Sequence, residues 1–391
     1  MRTTPISLGY VPLVDAAPLI VAEEMGFAAA EGLSLDLVQA PSWSRLRDAL
    51  SVGQVDAAHM LAPVPVATAL GLGGGATGFD VVSVLSVNGT MVGLSAPLAE
   101  KMRAAGHDFD LMAAERAGRL LISGAPKPLR FGVPFPFSMH AELVFHWLSA
   151  LGLPSPQSLV VRTVPPPLMA DAIQTGEIDA FCVGEPWASQ VAAKDGGVLL
   201  LAGKAIWSWA PEKVLATRAC WADGEPELSA RLIRAVWRAS RWLEAADARS
   251  LAAELLARRE YLDVGAELIE RAFTGQFDLG GGLGMREVQP FLSFHEGAAH
   301  FPWRSQAAWI GSQLAARTGL DRASAMRSAE RTFRSDIHRA ALAQTSAILP
   351  PASSRVEGAF AGDSQVTGVH GVLRSPGNTF FDGARFDPAS F

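Results

Sequence analysis

Cysteine is almost absent: Cys182 and Cys220 are the only two among 391 residues. Two thiols exclude a disulfide framework and any thiolate metal cluster. Long apolar runs are also missing. No stretch reaches the roughly 18 uninterrupted apolar residues that a membrane helix needs, so no membrane insertion is expected. Positive charge is scarce, with 33 Lys and Arg against 39 Asp and Glu, a net charge of −6. That balance gives no basic footprint and argues against direct nucleic-acid binding. The opening stretch MRTTPISLGYVPLVDAAPLIVAEE carries Pro5, Pro12 and Asp15 where a signal peptide is uninterrupted and apolar, and it has no lipoprotein cysteine. A cytoplasmic location is the expectation. A serine nucleophile elbow and a catalytic carboxylate pair are both lacking, so the chain is not expected to be an enzyme.

What is present is a large apolar fraction, 49%, with mean hydropathy +0.20. A chain of this length and composition buries a sizeable core and divides into two lobes or domains. It also repeats itself. GQVDAAHMLAPVP (53–65) and GEIDAFCVGEPWA (176–188) share Gly-x-aliphatic-Asp-Ala and reach a proline at the same distance. Shifting the chain by the 123 positions that separate Gly53 from Gly176 also lays Gly9 on Gly132, Ala49 on Ala172 and Asp56 on Asp179. ISLGYVP and LRFGVPF read as strands entering a loop, and DAAPLIVAEEMGFAAAEGL and SMHAELVFHWLSALGL as the helices that follow. LSLDLVQ and SLVVRTV alternate as second strands. SWSRLRDALSVG and PPPLMADAIQTG are helices ending at a glycine suited to a left-handed cap. VDAAHML and IDAFCVG are third strands. Each half is thus β-loop-α-β-α-β, a unit that folds as a parallel sheet with covering helices, its loops along one edge.

The remainder is less patterned. GLGGGATG (71–78) reads as a flexible turn, lacking the lysine and context of a phosphate loop. Residues 81–95 read as a strand pair with an Asn-Gly break, and 97–120 as a helix with a charged face. A return to the first lobe is expected over 199–223. Leu228, Leu232, Val236 and Trp242 predict a long helix from Pro226 to about Leu262, and helices resume over 303–345. The tail after LPPASS reads as a surface wrap. HEGAAH (295–300) spaces its histidines five apart, one more than a zinc-protease helix requires, so no metal is expected there.

Five stretches occurring in order, GYVPLVDAAPLIVAEEMGF, APSWSRLRDALSVGQVDAAHMLAPVP, VPPPLMADAIQTGEIDAFCVGEPW, PEKVLATRACWAD and FFDGARFDP, closely resemble the nitrate-binding proteins of ABC importers and their bicarbonate-binding relatives. The resemblance implies an α/β, two-lobed periplasmic-binding-protein-like fold of type II, each lobe a mostly parallel sheet with covering helices, plus a helical C-terminal region. Residues 1–97 and 210–391 would form lobe 1 and 98–209 lobe 2, with crossings near 95–125 and 199–213 acting as a hinge. Without a lipoprotein signal, the chain resembles the cytoplasmic NasS-type nitrate/nitrite sensors, which hold a NasT-type RNA-binding antiterminator when open and release it when anion binds. An importer's nitrate or bicarbonate receptor is the alternative, and a thiamine-pyrimidine-synthase-like enzyme, which shares the fold, a second one.

The resemblance also implies a site. Nitrate is a planar monoanion that only accepts hydrogen bonds and stays ionised at biological pH, so a closed cleft must supply donors and positive charge. The matching positions are Trp43, Thr90, His140, Gly184 and Lys213, with Trp43 and Thr90 on one lobe and His140 and Gly184 on the other. Bicarbonate-binding relatives carry an acid at the position of Lys213 and recruit calcium, so lysine points to nitrate or nitrite with neither metal nor cofactor. Pro166, Glu185 and Trp187 are expected behind these contacts, Glu185 orienting Lys213 or His140 or capping a loop. Thr90 departs from the family, whose importers place a glutamine near it.

Overall fold

The computed structural model describes residues 3–74 and 77–391, so positions 75–76 of the glycine-rich turn lie outside the described residues. Two sheets organise the chain. The first runs from edge to edge through Leu292–Ser293, Phe79–Asn88, Pro211–Arg218, Ala57–Leu61, Thr4–Tyr10 and Leu33–Gln39. The second runs through Leu159–Thr163, Leu129–Val133, Ala180–Gly184, Thr90–Ser95 and Gly197–Ala202. Three neighbouring strands in each are parallel. Strands that leave one sheet or enter the other add the antiparallel pairings. One apolar core cluster extends through both. No helix among the described residues is long and apolar enough to cross a membrane.

The 123-residue offset holds in space. Ala57–Leu61 maps residue for residue onto Ala180–Gly184. The Asp56 carboxylate accepts the backbone N–H of Ser7 at 3.0 Å, and its counterpart Asp179 accepts that of Arg130 at 3.0 Å. A side chain at Gly9 would sit 2.3 Å from Leu46 Cδ1, and one at Gly132 would sit 2.6 Å from Ile178 Cδ1. Glycine thus lets Leu46 and Ile178 pack directly over the backbone of each first strand. Gly53 and Gly176 follow their helices at φ +76° and +72°, left-handed conformations that favour glycine. The turn is made twice because each lobe uses one aspartate to tie its first and third strands.

The passage between the sheets differs from expectation. Residues 81–95 are not a pair: Phe79–Asn88 belongs to the first sheet and Thr90–Ser95 to the second. Asn88 (φ +61°) and Gly89 (φ +93°) redirect the chain instead of folding it into a hairpin. The first crossing thus lies at Gly89, upstream of 95–125, and Thr90 stands on the second sheet, not the first. The chain returns over 203–210. Asn88 ties the two passages together, donating to the Ser208 carbonyl at 2.9 Å and accepting from the Ala210 N–H at 3.2 Å.

Two expected helices are divided. Residues 97–120 form Ala96–Ala104 and Ala114–Gly124. The helix from Pro226 stops at Leu243 and resumes at Ala248–Leu256. At the break Glu244 turns its carboxylate to the N–H groups of Phe294 and His295, at 2.8 and 2.9 Å. Helices Arg304–Thr318, Arg322–Thr332 and Ser335–Leu342 occupy the C-terminal region. The tail is more than a surface wrap. Buried Phe380 stacks on Trp207 at 4.7 Å and lies 5.7 Å from Trp309. Thr379 and Phe381 hydrogen-bond the backbone of Ser208 and Ile206, each at 2.9 Å. Arg317 reaches Glu142, a fully buried carboxylate on the second-lobe helix Met139–Ala150, through a two-pronged ion pair. The C-terminal region therefore grips both lobes.

Candidate functional site: the cleft around Lys213

Lys213 lies in the first sheet on Pro211–Arg218, opposite Leu61 on one side and Ser86 on the other. Register shifts on both sides of Lys213 break the usual alternation. Neighbouring Glu212 and Lys213 can then both reach one cluster, and both are fully buried. The Lys213 ammonium is 2.8 Å from Asp15 Oδ2 and 2.8 Å from Glu212 Oε1. Asp15 Oδ1 is 2.9 Å from His59 Nε2. Trp43 opens helix Trp43–Ser51 behind the cap that Ser42 provides to the Arg45 N–H. Its ring lies 5.5 Å from the Lys213 ammonium and 5.3 Å from the His59 ring.

The second lobe supplies the facing wall. His140 is the second residue of helix Met139–Ala150, and its Nδ1 is 3.3 Å from Glu212 Oε1. That approach is not aligned as a hydrogen bond, and neither ring nitrogen has a partner. Thr90 pairs with Gly184 across the second sheet, and Cys182 sits diagonally from it. The cleft is closed. Val14 N–H donates to the Glu185 carbonyl at 2.9 Å, and Trp187 Nε1–H to the Pro12 carbonyl at 2.7 Å. A side chain on Gly184 would come within 2.8 Å of Leu13 Cδ2 and 3.7 Å of Asp15 Oδ2. Glycine at 184 lets the two walls meet.

The charges follow from burial and partners. Burial alone would raise the Asp15 carboxyl, but the Lys213 ammonium and His59 outweigh it and hold Asp15 below the usual carboxylate range. Burial would pull Lys213 down, yet Asp15 and Glu212 keep it above its ordinary value. Glu212 is pushed up to about 7 by burial, against the pull of Lys213. Burial, and then Lys213, hold His140 well below the usual imidazole range. Burial lowers His59 too, so with its Nε2–H given to Asp15 its Nδ1 is an acceptor. The ammonium has three hydrogens, of which Asp15 and Glu212 take two.

Buried polar atoms without partners mark what the cleft can hold. Trp43 Nε1, Thr90 Oγ1 and both His140 nitrogens are unpartnered, and so are Glu185 Oε1 and Glu212 Oε2. Together with the remaining Lys213 hydrogen, the cluster presents donors from both lobes. Its acids are the opposing feature. An added anion about 4 Å from an ionised carboxylate meets roughly 4 kcal/mol of repulsion at an effective dielectric near 20.

The cluster thus brings together Trp43, His140, Gly184 and Lys213, while Thr90 stands on the opposite wall beside Gly184 with its hydroxyl against Gly203. Glu185 does not touch Lys213 or His140; its Oε2 accepts the Ser189 N–H at 3.1 Å, capping helix Trp187–Ala193. Trp187 joins the lobes, and Pro166 is buried in the short turn Pro166–Leu168. Sequence reasoning missed Asp15, His59 and Glu212. For Asp15 and His59 the signal available was a lone charged or imidazole side chain inside an otherwise apolar segment. Elsewhere His295, His300 and His338 form a stack in the C-terminal region, with His300 Nδ1 2.9 Å from His338 Nε2. Among the described residues no group of three or more His, Cys, Asp or Glu side chains is arranged to hold a metal. An open pocket of about 710 Å³ beside Met112, Arg116, Arg119 and Phe381 contains none of the cleft residues. Its walls leave no unpartnered buried donors, so the cleft remains the stronger candidate.

The NMT1-like family matches residues 1–257. The chain is 31% identical over 394 residues to a nitrate/nitrite binding protein NrtA of Synechococcus elongatus, covering 98% of this chain and 83% of that one. It is 32% identical over 313 residues to a nitrate import ATP-binding protein NrtC of Synechocystis, covering 79% of this chain but only 45% of that protein's length. Among solved structures, the periplasmic nitrate-binding protein NrtA from Synechocystis PCC 6803 superposes with a TM-score of 0.83 at 26% identity, over 100% of this chain and 97% of that one.

Proposed function

The chain belongs to the NMT1-like family, within the nitrate- and bicarbonate-receptor group of ABC importers, and from that premise we propose that it is a receptor that closes over nitrate or nitrite. One observation carries the ligand. Buried donors without partners on Trp43, from one lobe, and His140, from the other, stand beside a lysine that keeps one hydrogen free. A small anion that only accepts hydrogen bonds satisfies them in the closed form and in no other, so its binding favours closure. At a hundredfold excess over the dissociation constant that bias is about 2.7 kcal/mol if the open form binds none.

The relatives favour service in an importer, as the component that delivers the anion, and no catalytic step is assigned. The sensor reading ranks second: a cytoplasmic protein whose open form holds a NasT-type antiterminator. It uses the same closure and rests on the sequence resemblance alone. Calorimetric titration with nitrate, nitrite, bicarbonate and an alkanesulfonate, with and without calcium, tests the ligand. Heat with nitrate or nitrite is expected without calcium. Silence toward both, with heat from another anion, overturns the assignment. Co-elution with a NasT-type protein that is lost on adding nitrate would move the sensor reading ahead of the importer.

A further inference from the structure

The nitrate reading leaves one group unexplained. Glu212 is fully buried beside the lysine that must meet the anion. Its Oε1 is 2.8 Å from Lys213 Nζ and 3.3 Å from His140 Nδ1, while Oε2 has no partner. A carboxylate is trigonal and planar, like nitrate, and here it already takes one hydrogen of Lys213 and stands beside His140. The charged and titratable groups around it come from five elements. They are Lys213 on its own strand, Asp15 from the turn Val14–Ala16, His59 from Ala57–Leu61 and held below its ordinary value by burial, His140 from the helix Met139–Ala150, and Cys182 from Ala180–Gly184. Only Lys213 is cationic. Asp15 is held ionised, whereas burial keeps His140 and the Cys182 thiol neutral. With Glu212 ionised the cluster carries one net negative charge, and nitrate would double it where water is excluded.

We propose that Glu212 couples anion binding to a proton: when nitrate enters, Oε2 takes one proton from solvent and presents the O–H as a further donor to the anion. Nitrate cannot carry that proton itself, and the neutral acid releases Lys213 from one of its two carboxylates. The carboxyl group is suited to this, since burial has already pushed it up to about 7. This inference deepens the nitrate reading and rests on it. It makes Glu212 a positioning and selectivity residue, favouring anions that accept hydrogen bonds when protonated and rejecting them when ionised.

The test is a proton inventory on the full chain. Sodium nitrate is titrated calorimetrically between about pH 6 and pH 9 in buffers of differing ionisation enthalpy. Near pH 8 the wild type should take up about one proton per nitrate, and near pH 6 much less. Affinity should fall roughly tenfold per pH unit above about pH 7. Glu212→Gln, a permanently neutral donor, should bind without proton uptake, with a flat pH profile, and at least about tenfold more tightly than wild type near pH 9. Nitrate heat without proton uptake in the wild type overturns the proposal and leaves the receptor reading standing, as does uptake retained in Glu212→Gln. No nitrate heat at any pH overturns both. The wild-type inventory decides the matter even if the variant folds poorly.

Discussion

The Lys213 ammonium lies 2.8 Å from the Asp15 carboxylate, with both side chains withdrawn from solvent. Each is costly to bury alone, and each holds the other in its charged form. Removing Lys213 leaves two buried carboxylates without their cation, whereas removing Asp15 leaves Lys213 with Glu212. Lys213→Ala should lose about 3–5 kcal/mol of unfolding free energy and Asp15→Ala less, measured by urea denaturation near pH 7. The double variant should recover part of that loss. Lys213→Ala should also abolish nitrate heat; binding equal to wild type would remove the lysine from the site.

Glu185 gives a pH signature of opposite sign to that of Asp15. Burial raises its folded-state carboxyl to about 7 from an ordinary value of 4.5. Between those values the native state binds more protons than the unfolded chain, so stability falls as pH rises through this window and levels off above about pH 7. The shift corresponds to about 3 kcal/mol. Glu185→Gln keeps an acceptor for the Ser189 N–H and should lack this decline. Urea midpoints from about pH 5 to pH 8 should therefore converge at the acid end, with the variant ahead at the alkaline end. Parallel curves would refute it.

Closure depends on close approach at Gly184 and on the Trp187 indole. Gly184→Ala places a methyl group 2.8 Å from Leu13 Cδ2, a flexible tip that can yield. A modest loss of nitrate affinity, roughly three- to tenfold, is expected from about 1 kcal/mol of strain. Trp187→Phe removes the donor to the Pro12 carbonyl and should weaken binding by a similar factor. Both should shift small-angle scattering toward the open form at subsaturating nitrate. An unchanged open–closed balance in both variants would mean that closure is set elsewhere.

Arg317 satisfies Glu142, whose carboxylate is fully buried on the second lobe. Arg317→Met should destabilise the protein by about 3–5 kcal/mol by leaving that charge unpaired. Glu142→Gln in the same background should restore part of it. Chemical denaturation of the single and double variants reads the coupling, and simple additivity would show that the ion pair carries none.

The duplicated architecture was legible because its key positions admit few substitutes. A side chain at Gly9 or Gly132 would have to displace Leu46 or Ile178, and Asp56 and Asp179 each secure a strand's backbone. The crossing at Gly89 was not, since an Asn-Gly step has the same composition in a hairpin as in a change of sheet. Lys213, Trp43 and His140 could be found by resemblance. Glu212 was hidden because strand alternation assigns neighbours to opposite faces, and the irregular pairing around Lys213 cancels that rule locally. Asp15 and His59 stand alone in apolar runs, where one polar residue is easily read as a mere interruption.

The packing of Phe380 against the touching rings of Trp207 and Trp309 bears on how the halves can swing. It wedges the returning passage from behind, while the outgoing passage is little more than Gly89 braced by Asn88. A swing of the halves about these two passages would move one of them against the tail. Shortening the chain before Phe380 would change the range of that swing without touching a single atom that meets the anion.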